Sequence, residues 1–471
     1  MAKDGMFNLI ERKNLLVDKS WNESKKMWHI AGPAILAGVC QFSIGLVTVA
    51  FVGHLGDTEL AAVSAVQNVI EGFVSGFMLG MGSALETLCG QAVGAGQFNM
   101  LGVYLQRSCI ITVVTALILV PFYVFASPIL KSLHQGKEIS ELSGKFARWV
   151  IPQLFAYAIN FPIQKFLQSQ GKGWVMTIIS MIVLAFHALM NWVVVVKLGY
   201  GMLGAAIVGD ISWWLLILAQ IIYVVSGYFP DAWTGFSSLA FKNLYGFVKL
   251  SLASAVMLCL EMWYFTAIII LVGCLKNPEI AVDAMSICMN LELWAVMVAL
   301  GFNAAVSVRV SNELGAGNPK AAKFSVGVAV CTAALFGIVF MIAVLATKDN
   351  FPKLFTTEPI VCTRHLSLGV AVGAGWQSMV AFINVVCYYV FGLPIGAILG
   401  YKFNLGVQGI WTGMIVGCLL QTVVLFIVMI KANWQKEALQ AEERIRTWGG
   451  NAESDRIDYN SSMRPIVLQN Y

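Results

Sequence analysis

Glu261 stands in the middle of an apolar run, within Leu258-Cys259-Leu260-Glu261-Met262-Trp263-Tyr264-Phe265. An acid at the centre of a membrane helix costs about 2.5 to 3.5 kcal/mol on insertion scales, so its presence asks for a reason. Loss of water favours the neutral form of any carboxyl group, and a proton or an organic cation can then toggle it. Helical spacing sets Met257, Leu258, Tyr264 and Phe265 beside Glu261, an apolar and aromatic surround suited to planar organic molecules. A second group is the stripe Ser64, Asn68, Glu71 and Ser75, whose spacings of 4, 3 and 4 put all four on one helical face. In lipid such a face turns inward, either to line a cavity or to hydrogen-bond a neighbouring helix. Asn290 and Glu292 are comparable candidates in a later run, and Gln41 is another in the first.

Other polar residues read as structure. Glu86 and Arg309 lie near the ends of two long runs, where ion pairing or anchoring is the expected role. His187 reads as a packing histidine, and Asp210 as a buried acid with no obvious partner. Gly72, Gly76 and Gly80 recur every four residues, which favours close helix packing over ligand contact. The ten cysteines form no CxxC pair and read as small apolar packing groups. No HExxH and no GxxxxGK occurs, which argues against a metal centre and an ATP-driven pump. No nucleophile–base cluster is apparent either, so no catalytic residue, metal ligand or cofactor is expected.

The elements that must position these groups follow from composition. Of 471 residues, 58% are hydrophobic and 12% charged, against about 25% charged in an ordinary soluble domain. The mean hydropathy is +0.77. A water-soluble globule of this composition could not cover its surface, and the apolar residues come in runs of about 20, the length that crosses a bilayer. The runs lie at 28–52, 61–84, 104–126, 147–168, 174–196, 203–226, 247–272, 283–306, 324–346, 377–400 and 406–430. All eleven must be helices, because hydrocarbon offers unpaired backbone groups no partner. The net charge of +5 forms no basic stripe, which excludes a nucleic-acid binder. The first 29 residues are polar and carry six lysines and arginines, so they are placed in the cytoplasm, and the first run should stay as an anchor. Asn22-Glu23-Ser24 is a glycosylation sequon that this placement leaves unused. The loop at 130–148, with Lys131, Lys137, Lys145 and Arg148, dissents from the charge rule.

The chain also resembles itself. Gly94-Ala95-Gly96 recurs as Gly315-Ala316-Gly317, 221 residues later, each closing a long run. Gly171-Lys172-Gly173-Trp174 is answered by Gly373-Ala374-Gly375-Trp376 at an offset of 202, and the segment around Gly201 and Gly204 by that around Gly406 and Gly409 at 205. Two parallel halves are expected, with a path between them. Between the first two landmarks the second half is 19 residues short, about one membrane crossing. The expected division is a cytoplasmic segment 1–29, a six-helix lobe 30–226, a linker 227–246, a second lobe 247–430 with five full helices, and a tail 431–471.

The segments LETLCGQAVGAG (85–96), PIQKFLQSQ (162–170) and GFNAAVSVRVSNELGAGNPKAAKFSV (301–326) resemble plant members of the multidrug and toxic compound extrusion (MATE) family. GVAVGAGWQ (369–377), CYYVFGLPIGAILGYKFNLGVQGIW (387–411) and NWQKEALQAEERIRTW (433–448) fit the same group, so the likeness runs from about 25 to 448. The resemblance implies an all-α polytopic fold of twelve helices in two lobes around a V-shaped cavity. It implies a monomeric exporter, embedded in the lipid bilayer of the plasma or vacuolar membrane, that moves small organic compounds in exchange for protons by alternating access. It also implies that Glu261 is the proton-responsive acid. The family's tenth helix, due between about Phe355 and Leu368, is expected to be largely missing from this chain. Two alternatives stand beside proton antiport: a passive anion or organic-acid pathway, and a shortened form with impaired transport.

Overall fold

The structure is a computed structural model. It describes the chain path of residues 2–133, 135–242, 244–273, 275, 278–347 and 376–448, and the side chains at 14–133, 135–242, 244–272, 275, 296–339 and 376–447. The expected tenth helix at 355–368 lies outside the described residues. Among the described residues there is helix and loop but no β-strand.

Among the described residues, thirteen helices longer than two turns carry the fold: α1 Ala2–Val52, α2 Asp57–Gly94, α3 Leu101–Val124, α4 Lys137–Trp149, α5 Ile151–Ser169, α6 Gly173–Lys197, α7 Gly201–Val225, α8 Leu244–Gly273, α9 Pro278–Gly315, α10 Pro319–Thr347, α11 Gln377–Lys402, α12 Gly406–Lys431 and α13 Trp434–Trp448. All eleven expected runs fall on helices, and among the described residues nine are long and apolar enough to cross a membrane. Large apolar side chains stand exposed along them, such as Ile182 at 64%, Ile222 at 63% and Phe382 at 70%. Water would penalise that surface and lipid does not.

Repeat-equivalent helix ends are built alike. After α2, Gln97 N donates to Ala92 O at 2.9 Å and Gly96 N to Val93 O at 3.1 Å. After α9, Asn318 N donates to Glu313 O at 2.8 Å and Gly317 N to Leu314 O at 3.1 Å. This paired closure of a helix needs a left-handed residue, and Gly96 and Gly317 supply it with φ of 72° and 68°. The ends of α6 and α11 also match: Leu198 N to Val193 O answers Phe403 N to Ile398 O, at 2.9 and 3.2 Å. There Gly199 (φ 69°) is answered by Asn404 (φ 54°), asparagine being the residue that tolerates this region best after glycine. The repeat seen in the letters is thus a repeat of backbone geometry.

The first helix of each half lends its opening turns to the other half's core. Met27, Ile30 and Ala31 of α1 pack with Phe302–Ala333 residues of α9 and α10, whereas Ala37 and Ile44 pack with α2, α3, α5 and α7. Conversely, Phe247 and Ala255 of α8 pack in that same core of the first half, and Met257, Tyr264 and Ile268 pack with α11 and α12. The dissenting loop at 130–148 becomes α4, an amphipathic helix at the end opposite the Gly-Ala-Gly loops. Ser143 Oγ of α4 donates to Ala62 O at 3.0 Å. Lys131 lies 3.1 Å from Glu141, and its hydrogen bond holds that exposed carboxyl below the usual carboxylate range.

Candidate functional site

Glu261 is the eighteenth of the 30 residues of α8, with 2% of its surface exposed. The turns of α8 on either side of it are tied to α11. Asn384 Nδ2 donates to Met257 O at 3.3 Å, Tyr389 Oη to Leu260 O at 2.8 Å, and Tyr401 Oη to Leu271 O. Behind Asn384 the chain continues: Gln421 Nε2 donates to Asn384 Oδ1 at 2.6 Å, and Tyr388 Oη to Gln421 Oε1 at 2.6 Å. Asn384, Tyr388 and Gln421 are all at 0% exposure, so each polar atom in this chain needs the next one. None of these five residues on α11 and α12 was singled out from the sequence. The signal was there as amides and tyrosines inside apolar runs, where they must find partners.

Tyr264 is part of this support. Its ring stacks on Tyr388 at a centroid distance of 4.4 Å, and its hydroxyl donates to Met414 O at 3.4 Å. The hydroxyl sits in a slot between two glycines: a Cβ on Gly392 or Gly417 would come within 2.4 or 2.6 Å of it. The structure therefore places Tyr264 inside the packed core of the second half, at 0% exposure. Phe265 is half-buried beside it, 6.2 Å between ring centroids.

In the first half, Gln41 is half-buried and joins three helices. Its Oε1 accepts from Gln164 Nε2 at 2.7 Å and Asn160 Nδ2 at 3.4 Å, and its Nε2 donates to Ser180 Oγ at 3.3 Å. Asn68 and Glu71 fall on a six-residue π-helical segment of α2, Val66–Glu71. Such segments displace side chains from the α register and cluster at functional sites. Asn68 is exposed and Glu71 half-buried. Glu71 lies within electrostatic reach of Asp210 of α7, and Tyr157 of α5 within reach of both acids. Tyr157 is held by Gln153 and by the edge of Trp213 at 4.5 Å. Asn290 and Glu292 are carried by α9, but their side chains lie outside the described residues. The 221-residue register that pairs the Gly-Ala-Gly loops also pairs Glu71 with Glu292.

The groups read as structure find partners. Lys165 Nζ lies 2.6 Å from Glu86. Arg309 grips Glu23 with two nitrogens, at 2.7 Å and 3.0 Å, and Glu313 at 2.6 Å; Ser325 Oγ donates to Glu23 at 2.6 Å. His187, at 0% exposure, joins α1, α6 and α7. Its Nδ1 meets Ser212 Oγ at 2.8 Å, and its Nε2 meets Asn191 Nδ2 at 2.9 Å and Thr48 Oγ1 at 3.0 Å. Ser212 already donates to Val208 O, so Nδ1 carries the hydrogen and Nε2 accepts. Among the described residues no group of three or more His, Cys, Asp or Glu could hold a metal ion.

Known proteins resemble this chain in sequence and in fold. The family model described as MatE matches residues 33–193 and 253–368. The Arabidopsis thaliana "Protein DETOXIFICATION 33" is 54% identical over 449 residues, 92% of this chain and 93% of its own length. "Protein DETOXIFICATION 29" of the same plant is 54% identical over 446 residues, 91% of this chain and 89% of its own. Among solved structures, that of the "eukaryotic MATE transporter AtDTX14" superposes with a TM-score of 0.83 at 32% identity, covering 90% of this chain and 99% of that one. The Vibrio cholerae MATE transporter VcmN in the bent form shares the fold, with a TM-score of 0.74 at 18% identity, covering 91% of this chain and 99% of that one.

Proposed function

The chain belongs to the MatE family of membrane transporters, and from that premise we propose that it exports small organic compounds in exchange for protons, by alternating access between its two halves. The observation that carries the proposal is the burial of Glu261 inside a membrane helix whose neighbouring turns are bound to α11. A carboxyl group held in place and shielded from water can take up a proton on one side and release it on the other, if the cavity changes sides in between. An organic cation would compete with that proton for the same carboxylate. Gln41, Asn68, Glu71, Asn290, Glu292 and Phe265 are the proposed cavity residues; Tyr264, expected there from the sequence, is packed in the core behind Phe265. Gln41, Asn68 and Glu71 would offer hydrogen bonds, and Phe265 an aromatic wall over Tyr264.

The protein would act as a monomer in the plasma or vacuolar membrane, with the N-terminal segment and the Gly-Ala-Gly loops in the cytosol. The proposed lobes are 30–226 and 247–430, joined by the linker 227–246. The test is transport in proteoliposomes under an imposed pH gradient. Glu261→Gln is expected to abolish gradient-driven export of a fluorescent organic cation while expression and thermal stability persist. Unchanged transport by that variant would sink the assignment and leave a passive pathway as the better reading.

A further inference from the structure

The two Gly-Ala-Gly helices meet each other across the middle of the molecule, and they do so reciprocally. A Cβ on Gly94 would fall 1.9 Å from Asn312 O. Its repeat twin is Gly315, and a Cβ there would fall 2.0 Å from Gln91 O. Gln91 and Asn312 are themselves twins in the same 221-residue register. A Cβ on Gly90 would fall 1.8 Å from Oγ of Ser311, its own twin. Four turns further along, the pattern recurs with the helices that cross between halves. Gly80 of α2 lies against α8, where a Cβ would be 2.3 Å from Ala255 Cα. Its twin Gly301 of α9 lies against α1, where a Cβ would be 2.2 Å from Ile35 Cγ1 and 3.1 Å from Ala31 O. Residue i touching j while the twin of i touches the twin of j is the signature of a two-fold interface, here formed within one chain.

From this we infer that Gly90, Gly94 and Gly315 form the closing surface of a gate at the Gly-Ala-Gly end of the molecule, and that Gly80 and Gly301 continue the same seam four turns deeper. The inference rests on the alternating-access reading above. Three of the five approaches are to backbone atoms, which cannot swing aside, so the closed contact tolerates no side chain. The same residues need nothing of their neighbours when the halves part. A methyl group on this surface therefore penalises the closed state and leaves the open one untouched. Overpacking by one methyl at a contact of this kind shifts a two-state equilibrium by about ten- to hundredfold. Glycines elsewhere differ: a Cβ on Gly38 or Gly327 meets nothing within 4 Å, and on Gly76 of the same helix α2 only Met262 at 3.7 Å.

The experiment measures distances between genetically encoded spin labels at the exposed loop twins Gln97 and Asn318, in the full-length protein in nanodiscs. Gly94→Ala and Gly315→Ala are each expected to raise the long-distance over the short-distance population about tenfold or more, by similar amounts. Gly38→Ala, Gly76→Ala and Gly327→Ala should leave it unchanged. Gly90→Ala should shift it too, and adding Ser311→Gly, which removes the opposing atoms, should restore the short distance. That rescue decides the matter should either of the first two variants fail to fold. Unshifted distances in the seam variants, equal shifts in the controls, or failure of Ser311→Gly to rescue would each overturn the gate. Because the distances are read without substrate or pH gradient, the result is independent of whether protons drive transport.

Discussion

Lys165 and Glu86 show what a single buried pair costs when broken. Both are largely shielded, at 13% and 2% side-chain exposure, and 2.6 Å apart. Lys165→Met strands the carboxylate and is expected to lower stability by about 3 to 5 kcal/mol, whereas Lys165→Met with Glu86→Leu should recover most of it. Thermal unfolding of the single and double variants checks this; equal losses would mean that the pair is not coupled. His187 belongs to the same class of residue. Its three side-chain partners leave it no free valence, so His187→Ala should cost about 1 to 3 kcal/mol without altering the pH profile of transport. A shifted pH profile would instead make it a titrating participant. That His187 and Glu86 would each need a partner could be argued from their types and places. The partner of each could not, because Lys165 and Ser212 come from other helices and no local spacing names them.

At the scale of elements, α8 and α11 form one unit around Glu261. Tyr264 fills the slot between Gly392 and Gly417, so Gly417→Ala should displace the ring and cost about 1 to 3 kcal/mol. Tyr264→Phe keeps the ring in its slot, loses the 3.4 Å bond to Met414 O and should cost about 1 kcal/mol. Thermal melts that ranked them the other way would contradict the slot. The sequence placed every one of the eleven runs on a helix, since hydrophobic length alone decides that in a bilayer. It also placed Glu261 in mid-span. It did not show that Tyr264 turns into the core, because an aromatic residue one turn from an acid fits a cavity wall as well as a packed interior. Only the opposing glycines on α11 and α12 distinguish the two. The polar support from Asn384, Tyr389 and Gln421 was equally hidden, being a pairing between helices. Tyr389→Phe should loosen the Leu260 turn and shift the pH dependence of transport while leaving folding intact. An unaltered profile would make that bond merely structural.

At the scale of the molecule, the 221-residue repeat matters more than any single motif. It was visible as a recurrent Gly-Ala-Gly, and the structure extends it to matched helix closures, matched left-handed residues and matched contacts across the seam. The exchange of opening turns by α1 and α8 was not visible, because a hydrophobic run does not state which half it will pack against. The two-fold arrangement gives the halves one closed contact to make and break, and Glu261 sits in the helix that crosses that boundary. Proton-coupled export requires these to be linked. The most direct test is the direction of flux in proteoliposomes holding a fluorescent organic cation under a pH gradient that is then reversed. The account predicts that net cation movement reverses with the gradient, always opposite to the protons, and that Glu261→Gln shows neither flux. Cation flux that ignores the sign of the gradient, or that Glu261→Gln preserves, would contradict it.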